Sequence, residues 1–358
     1  MATILEKCRV PAPSGAAAEL SVPLTFHDIP WLHFLHPIRR LLFYDYPCSK
    51  PHFLETVAPK LKESLSFTLG HYLPVAGDLI FPLNSEKKAE IRYVAGDSAV
   101  SLTIAEFDSD FDDLIGNHAR DADQFYEFVP QIDPVKDESE YQRVPVMALK
   151  VTLFPGRGIC VGLANLHCLG DASSLVRFIQ AWASINKLGG DEEFLTKQGQ
   201  VSSFVVTVSY VWTCLVKSGE QVDDDVLEYF IFTANIRARI DPQVPANYFE
   251  AISDEIKNRV NKKDEVLKGA ENWLSQIKEM TGIRSLGVSG SPKFDLSTAD
   301  FGWGRARKLE VVSIDGEKHS ISLCKSRDSE GGLEVGISLP AAQMEAFAAI
   351  FDNGIRFL

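Results

Sequence analysis

The 358-residue chain has no cysteines at CxxC spacing, no apolar run long enough to span a bilayer, and fewer cations than anions. Its six cysteines, Cys8, Cys48, Cys160, Cys168, Cys214 and Cys324, are scattered. That scatter argues against a zinc ribbon or a disulfide frame and predicts reduced thiols in a cytoplasmic protein. The most apolar window, Phe204 to Val216, is too short to cross a membrane and holds Thr207, Ser209 and Thr213. Met1 to Cys8 lacks the apolar core of a secretory signal. Lys and Arg total 36 against 49 Asp and Glu, a net charge of −13. Such a chain has no global attraction for nucleic acid or anionic lipid, so an anionic ligand must be met by local cations. A glycine-rich phosphate loop, a GxSxG elbow and an HExxH helix are all missing, and with them the usual signals of nucleotide hydrolysis, serine hydrolysis and zinc proteolysis. The eight histidines show no metal-ligand spacing; His33 and His36 are three apart but lack a third ligand, so no metal is expected.

What is present is an ordinary folded composition, 45% hydrophobic and 24% charged. The length exceeds what one core supports and predicts two domains. Gly189-Gly190 and the polar stretch to Gln200 read as the junction, giving residues 1–190, a linker at 191–200, and residues 201–358. Leu54, Val57, Leu61, Leu65 and Leu69 recur at helical spacing over 53–70. Alternation from Leu149 to Leu163 around Pro155-Gly-Arg-Gly158 predicts a hairpin. A helix from Ala172 follows, with Leu175, Val176, Phe178, Ile179 and Trp182 on one face. Further on, the pattern predicts a buried helix over Phe204–Val216, a strand near Tyr229–Ala234 and helical sequence over Ala251–Lys278. It then predicts strands at Lys308–Ile314, Ser320–Cys324 and Leu333–Leu339, and a last helix from Pro340 that stops at Gly354. Strands and helices mix without strict alternation, so the expected class is α/β with mixed sheets.

Two segments stand apart. His167 sits between the predicted hairpin and the helix, where a rigid scaffold presents side chains. A single His beside an apolar strand serves more often as a core residue than as a catalyst. Here, however, Gly170 and Asp171 end the strand in a tight turn that leaves the ring at an edge. The second segment is Asp300-Phe-Gly-Trp-Gly304, followed by Arg305, Arg307 and Lys308. Two glycines flanking a Trp suggest an irregular loop anchored by the indole, which taken alone reads as a structural turn.

Together these segments resemble the BAHD family of plant acyl-CoA-dependent acyltransferases. His167-Cys-Leu-Gly-Asp171 fits the family's HxxxD and Asp300–Gly304 its DFGWG, in the expected order. Leu24–Leu32, Tyr72–Gly77, Asn247–Phe249 and Val288–Pro292 are similar to segments of its anthocyanin and flavonoid-glucoside branch. The resemblance implies two chloramphenicol-acetyltransferase-like domains with a channel between them. It implies His167 as general base, with Asp171 structural and paired to Arg237 or Arg239. Gly170, Asp300, Gly302, Trp303 and Gly304 would then be architectural. Charge and resemblance together direct CoA phosphates to Lys293, Arg305 and Arg307 and to Ser289-Gly290-Ser291, although each cation reads equally well as solvated surface. Arg177, on the helix after the motif, could meet a malonyl carboxylate or simply be a helix-face cation.

The sequence departs from the family in three places. Leu166 stands where many relatives have a second His, and segments present in relatives are missing after about Gln200 and after Phe249. The expected function is transfer of an acyl group, first malonyl, from acyl-CoA as co-substrate to a sugar hydroxyl of a flavonoid, anthocyanin or other phenolic glucoside. No permanently bound cofactor, nucleic-acid partner or membrane partner is expected, and the expected state is a monomer. Two alternatives stay open at this point: a hydroxycinnamoyl-CoA donor, or a non-catalytic relative that binds CoA thioesters or phenolics.

Overall fold

A computed structural model of the chain describes residues 2–24, 28, 32, 37–83, 88–108, 110–189, 229–232, 285–290, 295–312, 320–327, 329 and 332–355. The helices expected over Phe204–Val216 and Ala251–Lys278 lie outside these residues. Two units emerge: Met1–Lys197 with Phe294–Ser313, and Gln198–Lys293 with Ile314–Leu358.

The first unit is built on a six-stranded mixed sheet. It comprises β1 (Thr3–Val10), β6 (Val100–Glu106), β9 (Met147–Phe154), β10 (Gly158–Asn165), β3 (Ile38–Asp45) and β13 (Lys308–Val311), in that spatial order. The β6–β9 pair is parallel and the others antiparallel. The hairpin read from the Leu149–Leu163 alternation is β9–β10, closed by Arg157 N donating to Phe154 O at 2.9 Å. Every residue of β10 is buried, because both faces of this central strand are covered. Ile159, Val161 and Leu163 join Leu42, Tyr44, Leu149 and Val151 on one face. Cys160 joins Leu41, Phe43 and a cluster of Phe111, Phe125, Phe128 and Phe154 on the other.

Helices α1 (Ala58–His71) and α2 (Ala172–Leu188) cover the first face. On α2, Leu175, Phe178, Ile179 and Trp182 are buried as the periodicity predicts. The helical run expected at 53–70 begins earlier, at Lys50, and passes through a π-helical stretch, Phe53–Val57, before α1. That wider turn shifts the phase, so Phe53 and Val57 face inward and Leu54, expected in the core, is 37% exposed. A second, antiparallel sheet orders β2 (Glu19–Pro23), β5 (Glu90–Val94), β4 (Asp78–Pro82), β8 (Tyr141–Pro145) and β7 (Lys136–Asp137). Its apolar residues Leu79, Ile91 and Val144 pack with Val146, Leu166 and Cys168.

In the second unit, β11 (Tyr229–Phe232), β12 (Ser285–Ser289), β14 (Ser320–Lys325) and β15 (Leu333–Ile337) form a mixed sheet. Helix α3 (Ala341–Ile355) belongs to the same unit. On α3, Phe347 is buried and stacks on Phe351 at 5.6 Å. Gly354 does not stop this helix, which continues through it to Ile355; a glycine in the last turn costs only its own propensity.

One assignment changes. The sequence reading put the DFGWG stretch in the second domain, whereas Phe294–Ser313 returns to the first unit. The cause is strand pairing: Lys308–Val311 registers against Phe43–Arg40 as β13. Among the described residues no group of His, Cys, Asp or Glu could hold a metal ion, and no helix is long and apolar enough to cross a membrane.

Candidate active site

The His167 site is created by how β10 ends. Leu166 leaves the strand extended, with its N–H donating to Val146 O at 2.9 Å. His167–Leu169 then form one 3₁₀ turn, in which Leu169 N donates to Leu166 O at 3.2 Å and Gly170 N to His167 O at 3.4 Å. Leu166 and Cys168 anchor the turn in the cluster under the second sheet, and Leu175 anchors the first turn of α2 in the main core. The ring of His167, half-buried, therefore stands on a rigid turn where the two cores of this unit meet.

Among the described residues, Asp171 acts as the cap of α2. Its Oδ1 caps α2, accepting from Ser174 N and Ser174 Oγ at 2.9 Å and from Ser173 Oγ at 2.7 Å. Arg237 and Arg239 lie outside the described residues. The capping bond fixes where α2 starts, and so fixes the turn that carries the ring.

The electrostatics favour a neutral imidazole. Burial pushes the His167 pKa down and a hydrogen bond to its own main chain pushes it up. The Arg40 guanidinium pushes it down again, while Asp171 and Asp28 oppose that; the net shift is below the usual histidine range. A neutral ring near pH 7 can accept a proton. The neighbouring thiol cannot compete as a nucleophile: burial pushes Cys168 up to about 12, so it stays protonated. Two residues before His167, Asn165 is buried and its Nδ2 donates to Leu166 O at 3.1 Å, while its Oδ1 meets no donor among the described residues.

The DFGWG loop lies elsewhere, at the far end of α2. Asp300 Oδ1 accepts from Gly302 N and Gly304 N, both at 2.8 Å, and its Oδ2 pairs with Lys187 Nζ at 2.6 Å. Burial pushes the Asp300 pKa up, but Lys187 and the two N–H groups outweigh it and hold the carboxyl below its usual range. Gly302 and Gly304 have φ of 97° and 83°, which is why the motif needs glycine at both places. Phe301 is buried edge-on against Trp182 at 4.8 Å and Tyr44 at 5.8 Å, and Trp303 stacks on it at 5.2 Å. Asn186 Nδ2 donates to Phe301 O at 2.7 Å and Tyr44 OH to Ala299 O at 2.8 Å. Lys187 is sixteen residues past Asp171, so roughly 24 Å of helix separates this loop from the His167 turn. The two motifs are the two ends of one helix, not one site.

The remaining sequence-predicted residues are divided between the two units. Arg305 Nη2 is engaged by Asp295 Oδ2 at 2.8 Å and Ser297 Oγ at 2.9 Å, and Arg307 is exposed with Asp45 at 3.7 Å. Ser289 and Gly290 belong to the second unit, Ser289 Oγ donating to Ile321 O at 3.5 Å. Ser291 and Lys293 lie outside the described residues. Arg177 is exposed on α2, and its charge acts on Tyr72 rather than on the His167 ring. Sequence reasoning missed Arg40, Asn165 and Lys187. An Arg39-Arg40 pair opening an otherwise apolar strand was the available signal for the first.

Comparison with known proteins decides the family. The sequence model of the Transferase family matches residues 1–194 and 190–353. The chain belongs to that family. As a BAHD transferase it is an acyl-CoA-dependent O-acyltransferase, the class that HxxxD and DFGWG together suggested. A malonyl-coenzyme:anthocyanin 5-O-glucoside-6'''-O-malonyltransferase of Salvia splendens is 46% identical over 443 residues, covering 99% of this chain and 95% of its own length. Phenolic glucoside malonyltransferase 1 of Nicotiana tabacum is 38% identical, covering 100% of both chains. The 443 aligned positions exceed the 358 residues of this BAHD chain by 85, so the shortfall lies inside the aligned span. Vinorine synthase shares the fold, with a TM-score of 0.69, 16% identity, and 97% of this chain and 96% of that one covered.

Proposed function

We propose that the chain transfers a malonyl group from malonyl-CoA to a sugar hydroxyl of an anthocyanin, flavonoid or other phenolic glucoside, with His167 as general base. The observation that carries the role of His167 is its place: a ring held neutral on a turn fixed at both ends. The malonyltransferase relatives at 46% and 38% identity support the donor and acceptor classes.

In this reading His167 accepts the proton of the acceptor hydroxyl as that oxygen attacks the thioester carbonyl. The tetrahedral intermediate collapses with cleavage of the C–S bond, and the imidazolium returns its proton to the departing CoA thiolate. Nothing is oxidised or reduced, and the ring ends as it began. A positioned base of this kind contributes about 10²–10⁴ in rate. Asp171 acts through the cap, keeping α2 and therefore the turn in place. The cytoplasmic setting is part of the same proposal, and its support is the scatter of the six cysteines in the sequence.

The test is CoA release from malonyl-CoA with a panel of anthocyanidin and phenolic glucosides. Wild-type protein should release thiol, and His167→Ala should reduce kcat/KM by about 10²–10⁴-fold. An unchanged rate in His167→Ala would remove the base, and no release from any pair would remove the transfer.

A further inference from the structure

We propose that Arg40 is the donor-selecting residue: its guanidinium holds the free carboxylate of a malonyl thioester beside His167. This rests on the malonyl-transfer reading and extends it to the residue that tells a charged acyl group from a neutral one.

The shape of the donor limits where such a residue can stand. In a malonyl thioester one methylene separates the free carboxylate from the carbonyl under attack. The base must approach the attacking hydroxyl within about 3 Å, and a guanidinium holds a carboxylate at about 2.8 Å. A cation that reads malonate must therefore stand next to the base, not along the CoA tail. An unpaired carboxylate in a half-buried pocket would be strongly disfavoured, so a charged donor requires such a partner.

Strand register supplies one. Arg40 on β3 pairs with Leu163 on β10 and with Val311 on β13. Paired residues share a sheet face, so Arg40 rises on the face of Leu163, Leu42 and Tyr44, the face covered by α2. His167 follows Leu163 by four residues, just past the end of the same strand. Arg40 is half-buried, with its stem against the sheet. Among the described residues it is the only basic side chain whose charge acts on the His167 ring. The other cations of the neighbourhood are directed elsewhere. Arg39 lies on the opposite face, over the Tyr126 ring at 5.4 Å. Lys150, also opposite, donates to Glu127 O at 2.5 Å. Arg177, the sequence-level candidate for this task, is exposed and acts on Tyr72.

The two carboxylates near the ring are compatible with this role. Asp171 Oδ1 is taken up by the α2 cap. Asp28 adds negative charge beside the ring and beside Cys168, which makes a local cation more necessary for an anionic donor. A guanidinium has five N–H donors in a planar fork, enough to take a carboxylate in addition to its contacts within the fold.

The experiment measures donor binding rather than turnover, so its outcome is separate from that of the transfer assay. Malonyl-CoA and butyryl-CoA, which have similar acyl length with and without the charge, are titrated calorimetrically into wild-type protein, Arg40→Met and Arg40→Lys. Wild-type protein should favour malonyl-CoA by about 30-fold, and Arg40→Met should bring the ratio within about threefold of unity. Butyryl-CoA affinity reports whether Arg40→Met is folded. Should Arg40→Met bind neither thioester, Arg40→Lys decides, since it should keep a malonyl preference of about tenfold or more. A wild-type ratio near unity, a ratio unmoved by Arg40→Met, or loss of preference in a folded Arg40→Lys would each overturn the assignment. Wild-type protein that prefers malonyl-CoA yet transfers it to no glucoside would refute the transfer reading and leave Arg40 standing.

Discussion

The two ends of α2 carry the two motifs of this chain, and they are built on opposite principles. At the C-terminal end, Asp300 has both oxygens engaged, Phe301 is enclosed by aromatic rings, and Asn186 and Lys187 tie the loop to the helix. At the N-terminal end the scaffold is as firm, yet it holds a half-buried ring shifted toward neutrality and a buried Asn165 oxygen without a donor among the described residues. The difference separates a motif that holds the fold from a motif that uses it.

Substitutions at the two ends should divide along that line. His167→Ala, with the largest effect on rate, should reduce kcat/KM by about 10²–10⁴-fold while moving the thermal midpoint little, as read from thiol release and a melting curve on the same sample. Phe301→Ala should do the reverse, costing about 3–5 kcal/mol in urea unfolding followed by tryptophan fluorescence. Its residual activity should track the folded fraction; a folded but inactive Phe301→Ala would place the loop in the chemistry and break the comparison. Asp171→Ala removes a helix cap and should cost about 1 kcal/mol. Because the same cap sets the turn, its kcat should fall more than its stability does.

The smallest effect is in pH dependence. A base with a depressed pKa is active when unprotonated, so kcat/KM should rise as pH increases through a value below about 6.5 and be flat from there to neutrality. Removing Arg40, which disfavours the charged ring, should move this acid limb upward, toward neutral pH.

Much of this was legible in the sequence where the signal is local. The alternation from Leu149 to Leu163 specified β9 and β10, because successive side chains of a strand point to opposite faces of the sheet. The 3.6-residue spacing over Leu175–Trp182 specified the buried face of α2, and Gly170-Asp171 marked the turn and its cap. Local patterns do not encode register. That Arg40 stands beside Leu163, and so near His167, depends on which strand β3 pairs with and in what phase. The return of Lys308–Val311 to β3 is likewise a contact between residues far apart in the chain, and no neighbouring residue announces it. The exposure of Leu54 arises from a π-helical turn, which helical periodicity does not anticipate.

The pairing of β13 with β3 also has a consequence for biosynthesis. Strand β3 is complete early, with Leu41, Leu42 and Phe43 in its middle, yet its outer neighbour is made only after the ribosome has travelled from Asn165 to Lys308. At typical synthesis rates that interval is on the order of 10 s. Throughout it, the nascent first unit presents an open sheet edge beside an apolar strand, the surface to which another chain most readily adds. The same interval leaves α2 without the loop that clamps its C-terminal end. The turn bearing His167 is thus made in the first half of the chain, while the helix that follows it is clamped only when the second half arrives. Fragments ending at the apparent domain boundary near residue 190 should aggregate rather than behave as a free-standing domain.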